Sequence, residues 1–156
     1  MKWPLMSLQS QFLATLRLTV ADSYPLQQTP AGRRRIDILA GGTIEGPRLR
    51  GIVLPGGSDA LLCRGDEAFQ QDVRLTLRMH DDDLVHVTYR GIRHGSADAM
   101  ARIARGETVP PAEYYLRNMP FFETGAPRYD WLNRIVCVGI GRREPGGVSY
   151  EIHEIL

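Results

Sequence analysis

A surplus of charge of either sign is what this sequence most clearly lacks. Its 19 Lys and Arg against 18 Asp and Glu leave a net charge of +1, so the chain as a whole has no sequence-independent pull toward nucleic acid or anionic lipid. GRRR at 32–35 is a local basic cluster. No aromatic-studded basic stripe accompanies it, so it reads as the solvated start of a strand and no nucleic-acid partner is expected. Cysteine is scarce. Cys63 and Cys137 lie in different apolar segments, outside any CxxC or Cys/His pattern, and read as two buried thiols in a reducing cytoplasm. The histidines His80, His86, His94 and His153 are scattered, without the spacing of metal ligands, so no metal is expected. A GxSxG elbow, a Walker loop, an HExxH pair and a dinucleotide fingerprint are all missing, and no cofactor is expected. Long apolar runs are missing too. Gln9, Ser10 and Gln11 interrupt the N-terminal segment, which therefore lacks the apolar core of about 7–15 residues that a secretory signal needs. No stretch approaches the length of a membrane span. These absences point to a soluble, cytoplasmic protein without a membrane partner.

What is present is period-two alternation. FLATLRLTV (12–20) places Phe12, Ala14, Leu16, Leu18 and Val20 on one face. DVRLTLRMH (72–80) sets Val73, Leu75, Leu77 and Met79 opposite Arg74, Thr76, Arg78 and His80. The acidic run 81–83 then turns the chain into LVHVTYRG, the pattern of a β-hairpin. AEYYLRNMPFFE and WLNRIVCVGIGRRE read as two further strands, and GGVSYEIHEIL as the last. SADAMARIARGE breaks the pattern. Ser96 is a candidate N-cap, Ala99, Met100 and Ile103 have helical spacing and Gly106 is a stop, which predicts one short helix over 96–105. Pro110 and Pro111 prevent its continuation. The expected fold is all-β, an antiparallel barrel of about eight strands with one short helix. Gly41, Gly42, Gly46 and Gly51 permit the bulges and coiling that closure requires. With no linker or repeat, the chain reads as a single barrel domain over 1–156, with 1–11 as an N-terminal extension.

Three blocks, GRRRIDILAGGTIEGPRLRGIVLPGGSD, YRGIRHG and EYYLRNMPFFETGAPRYDWLN, resemble domain-of-unknown-function family 3237, also called uncharacterised protein family 0311. The likeness runs from about Leu16 to the C-terminus. It implies an antiparallel β-barrel and a homodimer, and it brings no established general activity. One departure follows GGSD, where the family pattern has Trp and this chain has Ala60.

The densest chemistry lies in PFFETGAPRYDWLNR (120–134), which reads as a strand end, a Gly-Ala-Pro loop at the barrel mouth and a returning strand. Its aromatics, Phe121, Phe122 and Trp131, would form a plug or a sleeve for a flat apolar ligand, the sleeve being the expectation. Tyr115 and Arg117 share a strand face, as do Trp131 and Asn133. The expectation is that Arg117 points inward beside Asn133 and at least one of Glu123, Asp72 or Asp59. Arg117 would hold a developing anion and Tyr115 would donate to the same oxygen, while a desolvated carboxylate served as acid or base. Alternatives stay open: a structural Arg–carboxylate pair, an Asn133 that bonds a neighbouring loop's backbone, and an exposed His94 in place of an acid/base group at the rim. Three functions fit these residues. One is a cofactor-independent isomerase, cyclase, dehydratase or lyase acting on a hydrophobic oxygenated small molecule; the others are a carrier or sensor for such a molecule and a partner subunit with a filled barrel. A carboxylate of perturbed pKa beside Arg117 would favour the enzyme, and neutral polar groups among Phe, Trp and Leu the carrier.

Overall fold

The computed structural model describes residues 1–156. Nine strands run in chain order: β1 (Ser10–Thr29), β2 (Gly32–Glu45), β3 (Arg50–Val53), β4 (Ser58–Cys63), β5 (Phe69–Met79), β6 (Leu84–Gly95), β7 (Tyr114–Glu123), β8 (Cys137–Glu144) and β9 (Gly147–Ile155). The single α-helix, α1 (Ala97–Ala104), lies between β6 and β7, with Ser96 Oγ accepting the Ala99 amide at 3.1 Å as its cap. Every strand pairing is antiparallel, and the order β1–β9–β8–β7–β6–β5 continues through β3 and β4 to β2, which pairs back with β1. The sheet is therefore a closed ring, the barrel expected from alternation.

β3 and β4 share one position in that ring. The first part of β2 pairs with β4 (Ile36 opposite Ala60) and its last part with β3 (Ile44 opposite Gly51). The change of partner falls at Gly41 and Gly42, whose φ angles of +148° and +154° only glycine adopts without strain. A Cβ on Gly42 would also lie 1.8 Å from the Arg17 carbonyl oxygen.

Closure makes the alternation binding: every second residue enters one shared interior. On β5 the buried set is Gln71, Val73, Leu75, Leu77 and Met79, and on β6 it includes Val85, Val87 and Tyr89. β1 departs from simple alternation. Its register with β9 slips between Phe12 and Ala14, so Leu13 and Ala14 are both buried while Phe12 turns outward.

WLNRIVCVGIGRRE does not form one strand. Residues Pro127–Arg134 make a 3-10 helix, and β8 begins only at Cys137. Tyr129 and Leu132, three apart, lie on one side of this 3-10 helix, and both are buried in the core. The Tyr129 hydroxyl donates to Asp81 Oδ2 at 3.0 Å, in the turn between β5 and β6. This segment plugs one end of the barrel, where a sleeve at the mouth was expected. At the other end β1 and β2 run on as a hairpin arm past the last β1–β9 pair, Thr19 with Gly147, to a turn at Thr29 and Gly32. No helix is long and apolar enough to cross a membrane.

Candidate active site

The polar part of the interior lies toward the open end. Leu18, Leu39, Leu61, Val73 and Leu116 wall it with hydrocarbon, and Arg35, Asp37, Asp59, Gln71, Arg93, Arg143, Tyr89 and Tyr150 supply the polar groups. The cavity here is about 40 Å³, room for roughly one water molecule. A wider space of about 210 Å³ at the rim shares Arg35 and Leu61 with it and is bounded by Pro25 and Gln27 of the β1 arm, Cys63 and Phe69.

Register explains why these residues meet. Asp37 and Asp59 are cross-strand partners between β2 and β4. Asp59 stands opposite Val73 on β5, and Val73 opposite Tyr89 on β6. Phe69 stands opposite Arg93, whose guanidinium lies 4.6 Å over the Phe69 ring. Gly141 faces Tyr150 across β8 and β9, and a Cβ on Gly141 would lie 2.7 Å from the Tyr150 ring.

The two aspartates differ in environment. Asp37 is buried, held by Arg35 through Nε at 2.8 Å and Nη2 at 2.9 Å, and accepts the Ser23 hydroxyl at 2.7 Å. Asp59 has no ion-pair partner. Its one hydrogen bond is to the Asp72 backbone amide at 2.9 Å. Burial, reinforced by the neighbouring Asp37 charge, pushes its carboxyl up to about 6, although the Asp72 amide and Arg35 pull the other way. Arg93 is nine-tenths buried, and its Nε has no acceptor. Burial first, then the charges of Arg143 and Arg35, bring it down to about 10, still a cation at neutral pH. Burial raises the Tyr89 and Tyr150 hydroxyls, whose rings meet edge to face at 5.4 Å. Both are neutral proton donors. Together these groups place a carboxyl of raised pKa, an unpaired guanidinium and two phenols in one interior.

Of the residues singled out from sequence, Asp59 is in this interior. Tyr115, Arg117 and Glu123 are not, because β7 buries the opposite parity: Tyr114, Leu116, Asn118 and Phe122 face inward. Arg117 lies on the outer surface, 4.9 Å over the Tyr115 ring, and donates to the Leu116 carbonyl at 2.9 Å. Tyr115 stacks in turn on His94 at 5.1 Å. Both charged residues of β7 thus occupy the solvent side, where a carboxylate and a guanidinium need no buried partner. Phe121 is half exposed, and Phe122 faces inward opposite Val87, at the plugged end. Asp72 sits outside the interior, paired with Arg74 at 3.2 Å. Trp131 lies under the Arg48 guanidinium at 3.6 Å. Asn133 accepts from the Thr124 amide at 2.8 Å and donates to the Thr124 carbonyl at 2.9 Å, which makes it the loop-bonding asparagine of the structural alternative.

Sequence reasoning passed over Arg35, Asp37, Gln71, Tyr89, Arg93, Arg143 and Tyr150. The signal for three of them was in hand. Carrying the inward parity of Val73 back two residues gives Gln71, and carrying it across the hairpin gives Tyr89 and Arg93.

The fold places the chain in the class of small antiparallel β-barrels. The chain belongs to the DUF3237 family of proteins of unknown function, whose model matches residues 8–155. A UPF0311 protein of Rhodopseudomonas palustris is 31% identical over 150 residues, 96% of this chain and 98% of that one. Its crystal structure, described as a conserved protein of unknown function, superposes with a TM-score of 0.93, covering 97% of this chain and 100% of that one. A β-barrel-like protein of Acinetobacter baumannii gives 0.85 at 32% identity, over 99% and 100% of the two chains. An enzyme from Penicillium herquei shares the fold, with a TM-score of 0.74 at 21% identity over 100% of both.

The raised Asp59 pKa has a stability consequence whose sign is fixed. Between the ordinary value of 3.8 and about 6 the folded state holds a proton that the unfolded state has released. Stability from this group is therefore fully present below 3.8 and is lost as pH rises through about 6. The full difference is on the order of 3 kcal/mol. Asp59→Asn should remove this pH dependence and raise the thermal midpoint at pH 8 while leaving it little changed at pH 4. Parallel stability–pH curves for the two proteins between pH 4 and pH 8 would show that Asp59 titrates normally.

Proposed function

We propose that this protein is a cofactor-independent acid/base enzyme that moves a proton on a hydrophobic, oxygenated small molecule, in a reaction of the isomerase, cyclase, dehydratase or lyase type. The observation that carries this reading is a carboxyl raised to about 6, and so partly ionised near neutrality, in the same interior as an unpaired guanidinium. A general base works best when its pKa lies near the working pH.

The cavity beneath the mouth admits only the reactive end of a substrate, and the body lies in the rim space. Asp59 as carboxylate takes a proton from a carbon next to a carbonyl. The C–H electron pair moves into a new C=C bond, and the carbonyl electrons onto oxygen. Arg93, already desolvated and positive, donates to that oxyanion with little reorganisation. Asp59 then returns the proton to another atom of the same molecule, or to a departing hydroxyl. Tyr89 and Tyr150, kept neutral by burial, serve as further donors. A carrier would need a roomy sleeve with neutral polar groups, whereas here the polar lining is charged and the cavity small. The likeness in fold to an enzyme from Penicillium herquei supports this reading.

The reading includes a homodimer. The outer face of β6, β7 and β8 carries Ile92, Tyr115, Met119, Phe121 and Ile140, each 38–53% exposed, and a patch of this kind is a docking surface for a second copy. Cytoplasmic location belongs to the same proposal.

Two measurements test this. In D2O, with a panel of aromatic and alicyclic ketones and keto acids followed by proton NMR, the protein should catalyse exchange next to a carbonyl, with a rate that rises through a pKa near 6. Asp59→Asn should slow it by about 10²–10⁴-fold. Exchange unaffected by the substitution would remove Asp59 from the reaction. In sedimentation velocity the protein should run as a dimer at micromolar concentration and Met119→Glu as a monomer; a monomeric wild type would contradict the dimer.

A further inference from the structure

We infer that the molecule this site takes is itself a monoanion, a small carboxylic acid with a hydrophobic body, whose carboxylate is held by Arg143 and by the Arg93 N–H groups that the oxyanion leaves free. The inference rests on the proposed reading of the site and adds the substrate's charge. It begins with the arginines of the lining. Arg35 is occupied by Asp37 through an ion pair and a hydrogen bond. Arg93 makes neither an ion pair nor a hydrogen bond, although it is nine-tenths buried and its Nε is sealed from solvent. The Arg143 side chain also lacks an ion pair; its backbone amide donates to the Tyr114 hydroxyl oxygen at 2.7 Å. These two cations line the same cavity. Facing both is one unpaired carboxyl, Asp59, itself tied to a backbone amide.

A buried guanidinium without an acceptor is costly, and two in one cavity repel each other as well. Such an arrangement persists where a ligand supplies the missing charge. The surrounding groups limit what that ligand is. Asp37 and Asp59 stand beside the guanidinium pair, so a dianion such as phosphate meets two carboxylates along with the two free arginines. A single carboxylate matches the unpaired positive charge and the forked geometry of the donors. The hydrocarbon body then lies in the rim space against Leu61, Phe69 and Pro25, where Arg33 adds a positive charge. That rim charge raises the local concentration of an approaching anion.

Benzoate and its neutral isostere benzamide are suitable probes, read by calorimetry and by thermal shift, with inorganic phosphate as a control. Benzoate should bind saturably and raise the thermal midpoint, more weakly as salt increases, while benzamide and phosphate do neither. Arg93→Met and Arg143→Met should each weaken benzoate binding at least tenfold. The empty Arg93→Met protein should be no less thermostable than wild type, since the change removes an unpaired charge and keeps the stem. Asp59→Asn should bind benzoate as tightly or more tightly. Failure of the proton-transfer reading would appear as deuterium exchange insensitive to Asp59→Asn, with the benzoate results unaffected. The anion inference is overturned if wild type ignores benzoate up to tens of millimolar, if benzamide or phosphate binds equally well, or if both arginine variants retain the benzoate response. A loss of stability in empty Arg93→Met with benzoate binding intact would likewise make Arg93 a structural residue and overturn it.

Discussion

Closure of the sheet into a ring is the constraint from which the other features follow. An open sheet can leave one face to water, but in a ring alternate residues of every strand share a single dry volume. The pairing of β1 with β2 completes that ring, and glycines at the bend of β2 allow one strand to serve two neighbours. Once closed, each inward polar side chain must find a partner inside or remain unsatisfied. The lower half of the barrel meets this demand with hydrocarbon: Leu75, Leu77, Met79, Val85 and Val87 are almost entirely buried, sealed by Tyr129 and Leu132. The upper half does not.

There the same rule brings Gln71 and Arg93 into the interior with buried polar atoms that have no partner, beside Asp59. Natural cores seldom leave buried polar atoms unsatisfied, and where they do a functional reason is the first to examine. The cost differs along the ring. Asp37 is fully compensated by Arg35 and Ser23, so it is a strut. Asp59, one strand away, keeps a single amide donor and stays poised between its two charge states. Two carboxylates in register thus have different roles because one has a guanidinium and the other does not. Gly91 and Gly139 extend the pattern deeper. A Cβ at Gly139 would lie 1.9 Å from Asn118 Oδ1, so their small size leaves space for the buried amides of Gln71 and Asn118.

The extent to which this was legible in the sequence varies strand by strand. β5 alternates cleanly between apolar and charged residues, so its inward face and the hairpin to β6 could be read directly. So could the helix, from Ser96 and Gly106, and the family likeness, from blocks spread along most of the chain. β7 could not be read in this way. YYLRNMPFFE offers bulky apolar residues on both parities, since its outer face carries Tyr115, Met119 and Phe121, and choosing the wrong parity moves every side chain to the other side of the wall. The register with β6 resolves it, because Tyr89 faces inward and stands opposite Pro120. The 3-10 plug was hidden for another reason: WLN followed by IVCVGI reads as one apolar run, and only the docking of Tyr129 and Leu132 on the core separates them. Asp59 was one of three rival carboxylates in the sequence, and only the register of β4 with β2 and β5 separates it from Asp72 and Glu123. Arg93 was missed because YRG drew attention as a family block rather than as an inward stripe.

The central claim is that Asp59 and Arg93 share a desolvated interior in which one is poised to exchange a proton and the other to hold charge. The direct measurement is the titration of the Asp59 carboxyl carbon by NMR in protein labelled with carbon-13 at aspartate, assigned by comparison with Asp59→Asn. The account predicts a midpoint near 6, well above the ordinary 3.8, and a lower one in Asp37→Asn, where the neighbouring negative charge is gone. A midpoint at the ordinary value, unmoved by that substitution, would place Asp59 in water and contradict the account.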